Sequence, residues 1–239
     1  MDITKPLYIA SCSFGKDSVA TILLALEHNE PLDRAVFVEV MFDEARGISG
    51  EDPEHIAWVH EVAIPKLEAM GVKVDVVRSA TDYVRWASWK VRSSAKHPER
   101  NGKNRVWLLQ GRCGLNRDGK MNAVRNYYKQ FNQPIVQYVG IATDEPERLA
   151  RLGKGKISLL AKYGYAEVDA KRKCEEYGLL SPFYDKWKRN GCWFCPNKPI
   201  VYLANLRRNY PHLWAELRKF NEILTRCRIG STSDTPSMS

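Results

Sequence analysis

The chain has 239 residues, of which 44% are apolar and 27% are charged, and its formal net charge is +9 at pH 7. This length suffices for one α/β domain with its own core, and the composition is typical of a folded soluble protein. The first residues lack the apolar run of a secretory signal and no apolar stretch approaches the length of a membrane span, so we expect a cytosolic protein without membrane contact.

Predicted strands and helices alternate along the first part of the chain. We expect strands over 7–11, 35–41, 72–77 and 135–141, and helices over 18–26, 55–70 and 121–131. Strands and helices that alternate at this spacing imply parallel pairing through right-handed crossovers. The pattern therefore predicts an α/β domain built on a parallel sheet, over residues 1–160.

The sequence changes in character after residue 160. Helices are predicted over 166–177, 200–208 and 211–226, with a turn-rich stretch around Gly191 before the second of them. Residues 230–239 are rich in Ser, Thr and Pro, and we expect them to be disordered. We therefore predict a helical segment that carries cysteines over 161–229, followed by a disordered tail.

A loop of small and hydroxyl-bearing residues, Ser13-Phe14-Gly15-Lys16-Asp17-Ser18, lies between the first strand and the first helix. N–H groups at the helix start, the positive end of the helix dipole and the hydroxyls of Ser11, Ser13 and Ser18 all favour an anion at this point. The sequence thus predicts a phosphate site, although a helix N-cap without a ligand has the same pattern.

Three residues of this loop have separate expected roles. Gly15 lets the backbone approach a ligand closely, and Lys16 adds a positive charge. A carboxylate beside phosphates is useful mainly as a helix cap or as a ligand of Mg²⁺, so Asp17 is expected to play one of these two roles.

Basic residues are concentrated between Arg85 and Lys129, where twelve Lys and Arg side chains are opposed only by Glu99 and Asp118. Concentrated positive charge attracts phosphates, and the Trp and Tyr residues of this segment offer surfaces on which bases stack. A nucleic acid partner, tRNA or DNA, is one interpretation, and a solvated loop with incidental charge is the other.

The loop and three later stretches together resemble the PP-loop, or adenine nucleotide α-hydrolase-like, superfamily, in its phosphoadenosine phosphosulfate (PAPS) reductase-like branch. The three later stretches are Gly111-Arg112-Cys113 with Lys120, Gly140-Ile141 through 144–148, and 178–182 followed by 191–197. The resemblance runs from about residue 7 to about residue 217. It implies a Rossmann-like parallel sheet with helices on both faces, plus a small C-terminal helical lobe that carries a cysteine cluster.

The resemblance also implies an adenine nucleotide ligand, either ATP with Mg²⁺ or a sulfonucleotide (PAPS or APS). Lys16, Asp17 and Arg148 become the candidate catalytic residues. The candidate nucleotide-binding residues are Ser11, Ser13, Phe14, Gly15, Lys16, Asp17, Ser18, Gly140 and Glu145. One departure is Ala142, because the family often has Arg at this position, which puts one substrate contact in doubt.

Four cysteines are candidate metal ligands. Cys192 and Cys195 form a CxxC pair on a turn, and Cys113 and Cys174 are candidates for the remaining two positions. A [4Fe–4S] cluster and a structural Zn²⁺ both fit four thiolates, and the sulfur chemistry of similar enzymes favours the cluster. A redox dithiol for the CxxC pair, and a buried apolar role for Cys174, are the alternatives. None of the histidines forms a metal-binding pair, so we expect each to be exposed or to cap locally. His212, the one histidine close in sequence to the CxxC pair, is the reserve ligand if Cys174 is not one.

Three functions follow from these observations. The first is an enzyme that cleaves ATP between the α and β phosphates to adenylate an acceptor, for sulfur transfer to nucleic acid. The second is a sulfonucleotide reductase, which needs a nucleophilic cysteine near the C-terminus; Cys227 lacks the sequence context that such reductases have. The third is a module that binds nucleotide or nucleic acid without catalysis.

Overall fold

The computed structural model describes residues 5–90, 93, 95, 96, 98–102 and 113–219. The strands are β1 (Leu7–Cys12), β2 (Arg34–Glu39), β3 (Met41–Asp43), β4 (Ile48–Ser49), β5 (Val74–Arg78), β6 (Ile135–Tyr138) and β7 (Lys156–Ile157). The α-helices are α1 (Lys16–Glu27), α2 (Pro53–Trp58), α3 (Ile64–Ala69), α4 (Tyr83–Ser88), α5 (Asn122–Tyr128), α6 (Pro146–Leu149), α7 (Leu159–Lys162), α8 (Glu167–Glu176), α9 (Phe183–Lys186) and α10 (Ile200–Asn209). A further helix, α11, is described over 211–219. π-Helical turns span Val59–Ala63 and Asn116–Met121, and a 3₁₀ turn spans Pro98–Arg100.

Five strands form one sheet in the order β5-β2-β1-β6-β7, and every pair in it is parallel. Ile9 on the central strand pairs with Arg34 on one side and Gln137 on the other. The predicted parallel α/β sheet is therefore confirmed.

Helices cover both faces of this sheet. Leu7 and Ile9 pack with side chains from α5, whereas Ala10 and Cys12 lie in a core cluster with α1. Because both faces of the sheet are covered at β1 and β2, these two strands are mainly apolar runs without regular polar alternation.

The predicted strand over 35–41 is split in two. β2 ends at Glu39, and β3 turns away to pair antiparallel with β4 in a separate two-stranded sheet. Gly50 fixes this hairpin: its N–H donates to the Val40 carbonyl at 2.7 Å, and a Cβ at Gly50 would lie 2.8 Å from the Phe194 ring.

The predicted helix over 55–70 is helical throughout 53–69, with a π-turn between α2 and α3. Asp52 caps α2 by accepting hydrogen bonds from the N–H groups of Glu54 and His55. Pro65, near the start of α3, has no N–H to donate to the preceding turn, which explains why the regular α-helical ladder is interrupted just before it.

A second core lies apart from the sheet. It joins β3, α4 and the C-terminal helices through Phe42, Tyr83, Trp193 and Tyr202. The helices directly after residue 160 do not join it, because α8 packs against α1 in the first core. The predicted boundary at 160 stays a prediction. The tail over 230–239 lies outside the described residues, and none of the described helices is long and apolar enough to cross a lipid bilayer.

Candidate nucleotide site and cysteine cavity

The order of strands reverses at β1, since β2 and β5 lie on one side of it and β6 and β7 on the other. In open parallel sheets, ligands bind at such a switch point, beyond the carboxyl ends of the strands. A cavity of about 760 Å³ opens at this place, beyond the ends of β1 and β6. We call it the switch-point cavity.

The switch-point cavity brings together residues from distant parts of the sequence. Of the predicted nucleotide-binding and catalytic residues, those that line it are Ser11, Ser13, Gly15, Lys16, Asp17, Ser18, Gly140, Glu145 and Arg148. The loop and the stretch after β6 therefore form one site in the folded chain.

Phe14 does not line this cavity. Its ring is buried, 5.2 Å from the ring of Phe37 and 6.4 Å from that of Trp58, and its N–H donates to the Cys12 sulfur at 3.3 Å. Its φ of 54° places it in the left-handed region, where it turns the chain between strand and helix. The prediction that Phe14 contacts the nucleotide is corrected by this geometry: the side chain anchors the loop in the core.

Hydrogen bonds within the loop hold its shape. The Ser18 hydroxyl accepts the N–H of Ser13 at 3.2 Å and donates to the carbonyl of Gly15 at 2.9 Å. Ser18 therefore closes the turn at the start of α1.

The ammonium of Lys16 lies between two carboxylates, 2.8 Å from Asp17 and 2.7 Å from Glu167. Burial lowers the pKa of Lys16, but the two ion pairs more than offset this effect, so the pKa is raised and the side chain stays charged. Burial raises the pKa of Asp17, and the neighbouring Glu167 and Glu145 raise it further against the opposing effect of Lys16. A divalent cation bound at these carboxylates would favour their charged forms.

Gly140 has a packing role. A Cβ at this position would lie 2.7 Å from the carbonyl carbon of Asp17 and 2.8 Å from the nitrogen of Ser18. Only glycine therefore allows the end of β6 to lie directly against the first turn of α1.

Positive charge predominates around the switch-point cavity. Three carboxylates line it, those of Asp17, Glu145 and Glu167. Six cationic side chains also line it, namely Lys16, Arg148, Arg151, Lys156, Lys188 and Arg189. Arg148 donates to the Glu145 carboxylate, and Arg151 donates to the Glu147 carbonyl at 2.8 Å. Lys156, Lys188 and Arg189 form no ion pair with any described residue. The arrangement suits a ligand that carries several negative charges.

Ala142 is completely buried in the first core. An arginine there would bury its guanidinium among apolar side chains, at a large cost in free energy. Ala142 therefore offers no side chain to a ligand in the switch-point cavity.

His55 is a functional candidate that sequence reasoning missed. It is completely buried; its Nδ1 lies 2.9 Å from the Ser181 hydroxyl and its Nε2 lies 3.3 Å from the Ser13 carbonyl. Burial lowers its pKa to about 4, so the ring is neutral at pH 7. The expectation that His55 is exposed or caps locally is wrong, because α2 turns this side chain inward, against the loop over 13–18 (the nucleotide loop).

A second cavity, of about 1020 Å³, contains three of the four predicted metal ligands. Cys113, Cys192 and Cys195 line it, together with Glu51 and Lys198. We call it the cysteine cavity. Burial raises the pKa of Cys192 well above that of a free thiol, and the charge of Glu51 raises it further, so without a metal this thiol is protonated.

Cys174 lies elsewhere. Helix α8 carries it into the first core, where it is fully buried and its thiol donates to the Lys16 carbonyl at 3.2 Å. Burial raises its pKa to about 12. The structure thus separates Cys174 from the other three cysteines, and the prediction of one Cys₄ site is corrected to three thiols in one cavity.

The cysteine cavity also contains a buried ammonium that forms no hydrogen bond with any described residue, although the charges of Asp52 and Glu51 act on it. The Nζ of Lys198 is buried and has no hydrogen-bond partner; it lies 4.7 Å from the ring centroid of Phe183 and 4.1 Å from that of Tyr202. Burial lowers the pKa of Lys198. An anionic group in the cavity would favour the charged form of Lys198 further, and a metal bound by three thiolates is such a group.

Within the described residues, no three His, Cys, Asp or Glu side chains are grouped closely enough to hold a single metal ion. A structural zinc holds its thiolates about 2.3 Å from one atom, which demands tight grouping. A [4Fe–4S] cluster binds each thiolate through a different iron, so the cysteines lie further apart. The three thiols are the ligand type that both groups need, and the positive side chain of Lys198 suits the net negative charge of either thiolate-bound group.

The two cavities share a wall. Lys188, Arg189 and Asn190 line both the switch-point cavity and the cysteine cavity. The switch-point cavity and the cysteine cavity are therefore neighbours, although the first is built mainly from the sheet and the second mainly from the C-terminal segment.

No protein-family model matches the chain, and no curated protein matches it. Among solved structures, the chain is similar to U34-tRNA thiolase NcsA from Methanococcus maripaludis with its [4Fe-4S] cluster, at 15% identity and a TM-score of 0.42. The similarity covers 94% of this chain and 74% of that chain.

Proposed function

We propose that this chain is a PP-loop enzyme of the PAPS reductase-like branch, and that it binds ATP or a related adenine nucleotide in the switch-point cavity. The observation that carries the proposal is that the 13–18 loop, Gly140, Glu145 and Arg148 line one cavity at the carboxyl ends of two parallel strands. These are the stretches on which the resemblance rests. A phosphate chain matches both the helix N-terminus and the excess of positive charge.

We propose cleavage of ATP between the α and β phosphates, which transfers AMP to an acceptor and releases pyrophosphate. Negative charge grows on the leaving pyrophosphate, and cationic side chains fixed in advance stabilise it. Arg148 is held by a hydrogen bond to the Glu145 carboxylate, and Lys188 and Arg189 also line the switch-point cavity. Mg²⁺ would be held by Asp17 and Glu145 and would neutralise phosphate charge.

Cys113, Cys192 and Cys195 would hold a [4Fe–4S] cluster, with Zn²⁺ as the other candidate. A cluster supplies sulfur chemistry next to the activated acceptor. Lys198 would balance the negative charge of the thiolate-bound group. The five described cysteines are all free thiols, which supports a reducing compartment such as the cytoplasm.

The acceptor that we propose is a nucleic acid, tRNA or DNA. Lys120, from the basic stretch over 85–129, lines the cysteine cavity. Lys186 and Lys188, from the C-terminal segment, line the same cavity. Part of the basic stretch is already engaged, since Arg85 donates to the Ala80 carbonyl and Arg117 pairs with Asp118. Residues 103–112 of this stretch lie outside the described residues.

The test is incubation of the anaerobically purified protein with α-labelled ATP, Mg²⁺ and pooled tRNA or DNA. We expect labelled AMP, free or on the acceptor, together with pyrophosphate, and we expect Lys16→Met to abolish both products. Lys154→Met is the matched control, because Lys154 is exposed and does not line the cavity. No pyrophosphate with any acceptor would refute the adenylation chemistry; release of adenosine 3′,5′-bisphosphate from PAPS with a thiol reductant would identify a sulfonucleotide reductase.

An anaerobic absorption spectrum with metal analysis tests the cysteine cavity. A broad band near ~400 nm with bound iron is expected for a cluster. A colourless protein with stoichiometric zinc would reject the cluster in favour of a structural ion.

A further inference from the structure

Tyr184, on helix α9, reaches into the switch-point cavity from the C-terminal segment. Its hydroxyl oxygen accepts the backbone N–H of Lys16 at 3.2 Å. A Cβ at Gly15 would lie 3.1 Å from the same oxygen. The hydroxyl therefore lies directly over the first turn of α1, where the nucleotide loop is open to a ligand.

Buried neighbours fix the position of Tyr184. The adjacent Phe183 is completely buried, and the N–H of Tyr184 donates to the Ser181 carbonyl at 3.0 Å. The Ser181 hydroxyl contacts His55, which also contacts the Ser13 carbonyl. The nucleotide loop and Tyr184 are thus tied together at two points, once through His55 and once through Lys16.

The hydroxyl still has a proton to donate. Its oxygen is occupied by the Lys16 N–H, and no described residue accepts its hydrogen. Burial raises the pKa of Tyr184, so the hydroxyl remains protonated at neutral pH. Because Tyr184 lines the switch-point cavity, a ligand there can accept this proton.

We infer that Tyr184 is a nucleotide-binding residue whose hydroxyl accepts the Lys16 N–H and donates to a phosphate oxygen. The inference rests on the proposed function and adds a binding residue from outside the motifs. It means that the N–H of Lys16 acts on the phosphate through a tyrosine hydroxyl, so Tyr184 contributes to binding of the phosphate chain and not of the adenosine.

The test compares Tyr184→Phe with the wild-type protein. Affinity for ATP is measured by titration calorimetry, and affinity for adenosine is measured by ligand-detected NMR. A hydrogen bond to a charged group contributes enough that its loss should weaken ATP binding roughly 10-fold or more. Adenosine binding should change less than about twofold, because adenosine has no phosphate. Tyr165→Phe is the matched control, since Tyr165 does not line the cavity, and it should leave both affinities unchanged.

A second variant separates the contact from general damage to the loop. Gly15→Ala pushes a methyl group against the Tyr184 hydroxyl and should weaken ATP binding in the wild-type background. The Tyr184→Phe variant lacks this hydroxyl, so the methyl group no longer clashes with it. Gly15→Ala should therefore weaken ATP binding less in the Tyr184→Phe background than in the wild type.

Each outcome decides between the possibilities. Unchanged or tighter ATP binding by Tyr184→Phe would overturn the inference. It would show that the hydroxyl occupies the phosphate position in the free protein and is displaced when the nucleotide binds. Equal losses for ATP and adenosine would overturn it in favour of a structural role. Wild-type protein that binds neither ATP nor PAPS would refute the proposed function, and the inference with it. Wild-type binding that Tyr184→Phe leaves intact refutes the inference alone.

Discussion

Acidification should destabilise the fold through His55. The ring is completely buried, and burial lowers its pKa from the ordinary value of 6.5 to about 4. Above pH 6.5 the residue is neutral in both the folded and the unfolded chain and has no effect. Between pH 6.5 and 4 the unfolded chain binds a proton that the folded chain does not bind, so the free energy of unfolding falls as the pH falls.

The size of this effect follows from the pKa difference. One unit corresponds to about 1.4 kcal/mol, so at pH 4.5 the loss due to His55 is about 2 to 3 kcal/mol. Below pH 4 both states are protonated and the loss stops growing. For a domain of this size, each kcal/mol corresponds to roughly 2–4 °C in melting temperature.

The assay is urea denaturation between pH 7 and pH 4.5 for wild type, His55→Gln and the exposed control His212→Gln. Gln cannot be protonated, so His55→Gln should lose about 2 to 3 kcal/mol less than wild type over this range, even if it is less stable at pH 7. His212→Gln should follow the wild-type pH profile. If the profiles of wild type and His55→Gln are parallel, the neutral buried state of His55 is refuted.

Gly140→Ala should destabilise the fold by about 1–3 kcal/mol in urea denaturation and weaken ATP binding, since its methyl group would meet the backbone of Asp17 and Ser18. Gly153→Ala is the control for stability: a Cβ at Gly153 meets open space, so the urea midpoint should change little. Cys192→Ser should lower the iron or zinc content of anaerobically purified protein, whereas Cys174→Ser should leave it unchanged; equal losses would show that α8 contributes a ligand after all. Lys198→Met should reduce metal retention during dialysis against a chelator, because the negative thiolate-bound group loses a positive neighbour. Lys171→Met is the control, since Lys171 is exposed, pairs with Glu175 and does not line the cysteine cavity; identical retention would remove Lys198 from the site.

The central strands and the first helix were predictable because elements buried on all sides have long apolar stretches that are visible in the sequence. β1 and β2 are apolar runs, and α1 is apolar from Val19 to Leu26 apart from Thr21, a run longer than either strand, so the sequence indicates a buried helix between two buried parallel strands. The short elements α4, α6 and α9 have four to six residues, too few to show a period. The hairpin of β3 and β4 depends on Gly50, whose close contact with Phe194 is made across the fold.

The candidate site was predictable where one short motif makes it and unpredictable where distant segments meet. Ser13 and Lys16 belong to one six-residue loop, and both line the switch-point cavity. Cys174 has the same residue type as the cavity cysteines, and only the packing of α8 on α1 separates it from them. Tyr184 and His55 carry no sequence signal, because their roles depend on contacts with residues far along the chain.

The shared wall of the two cavities has a thermodynamic consequence. Lys188, Arg189 and Asn190 are consecutive, so a ligand that shifts this backbone from one side also changes the shape of the other cavity. Any such coupling is reciprocal: if a nucleotide raises the affinity for the acceptor by some factor, the acceptor raises the affinity for the nucleotide by that same factor. Measuring nucleotide affinity with and without the acceptor would thus also report how the acceptor binds.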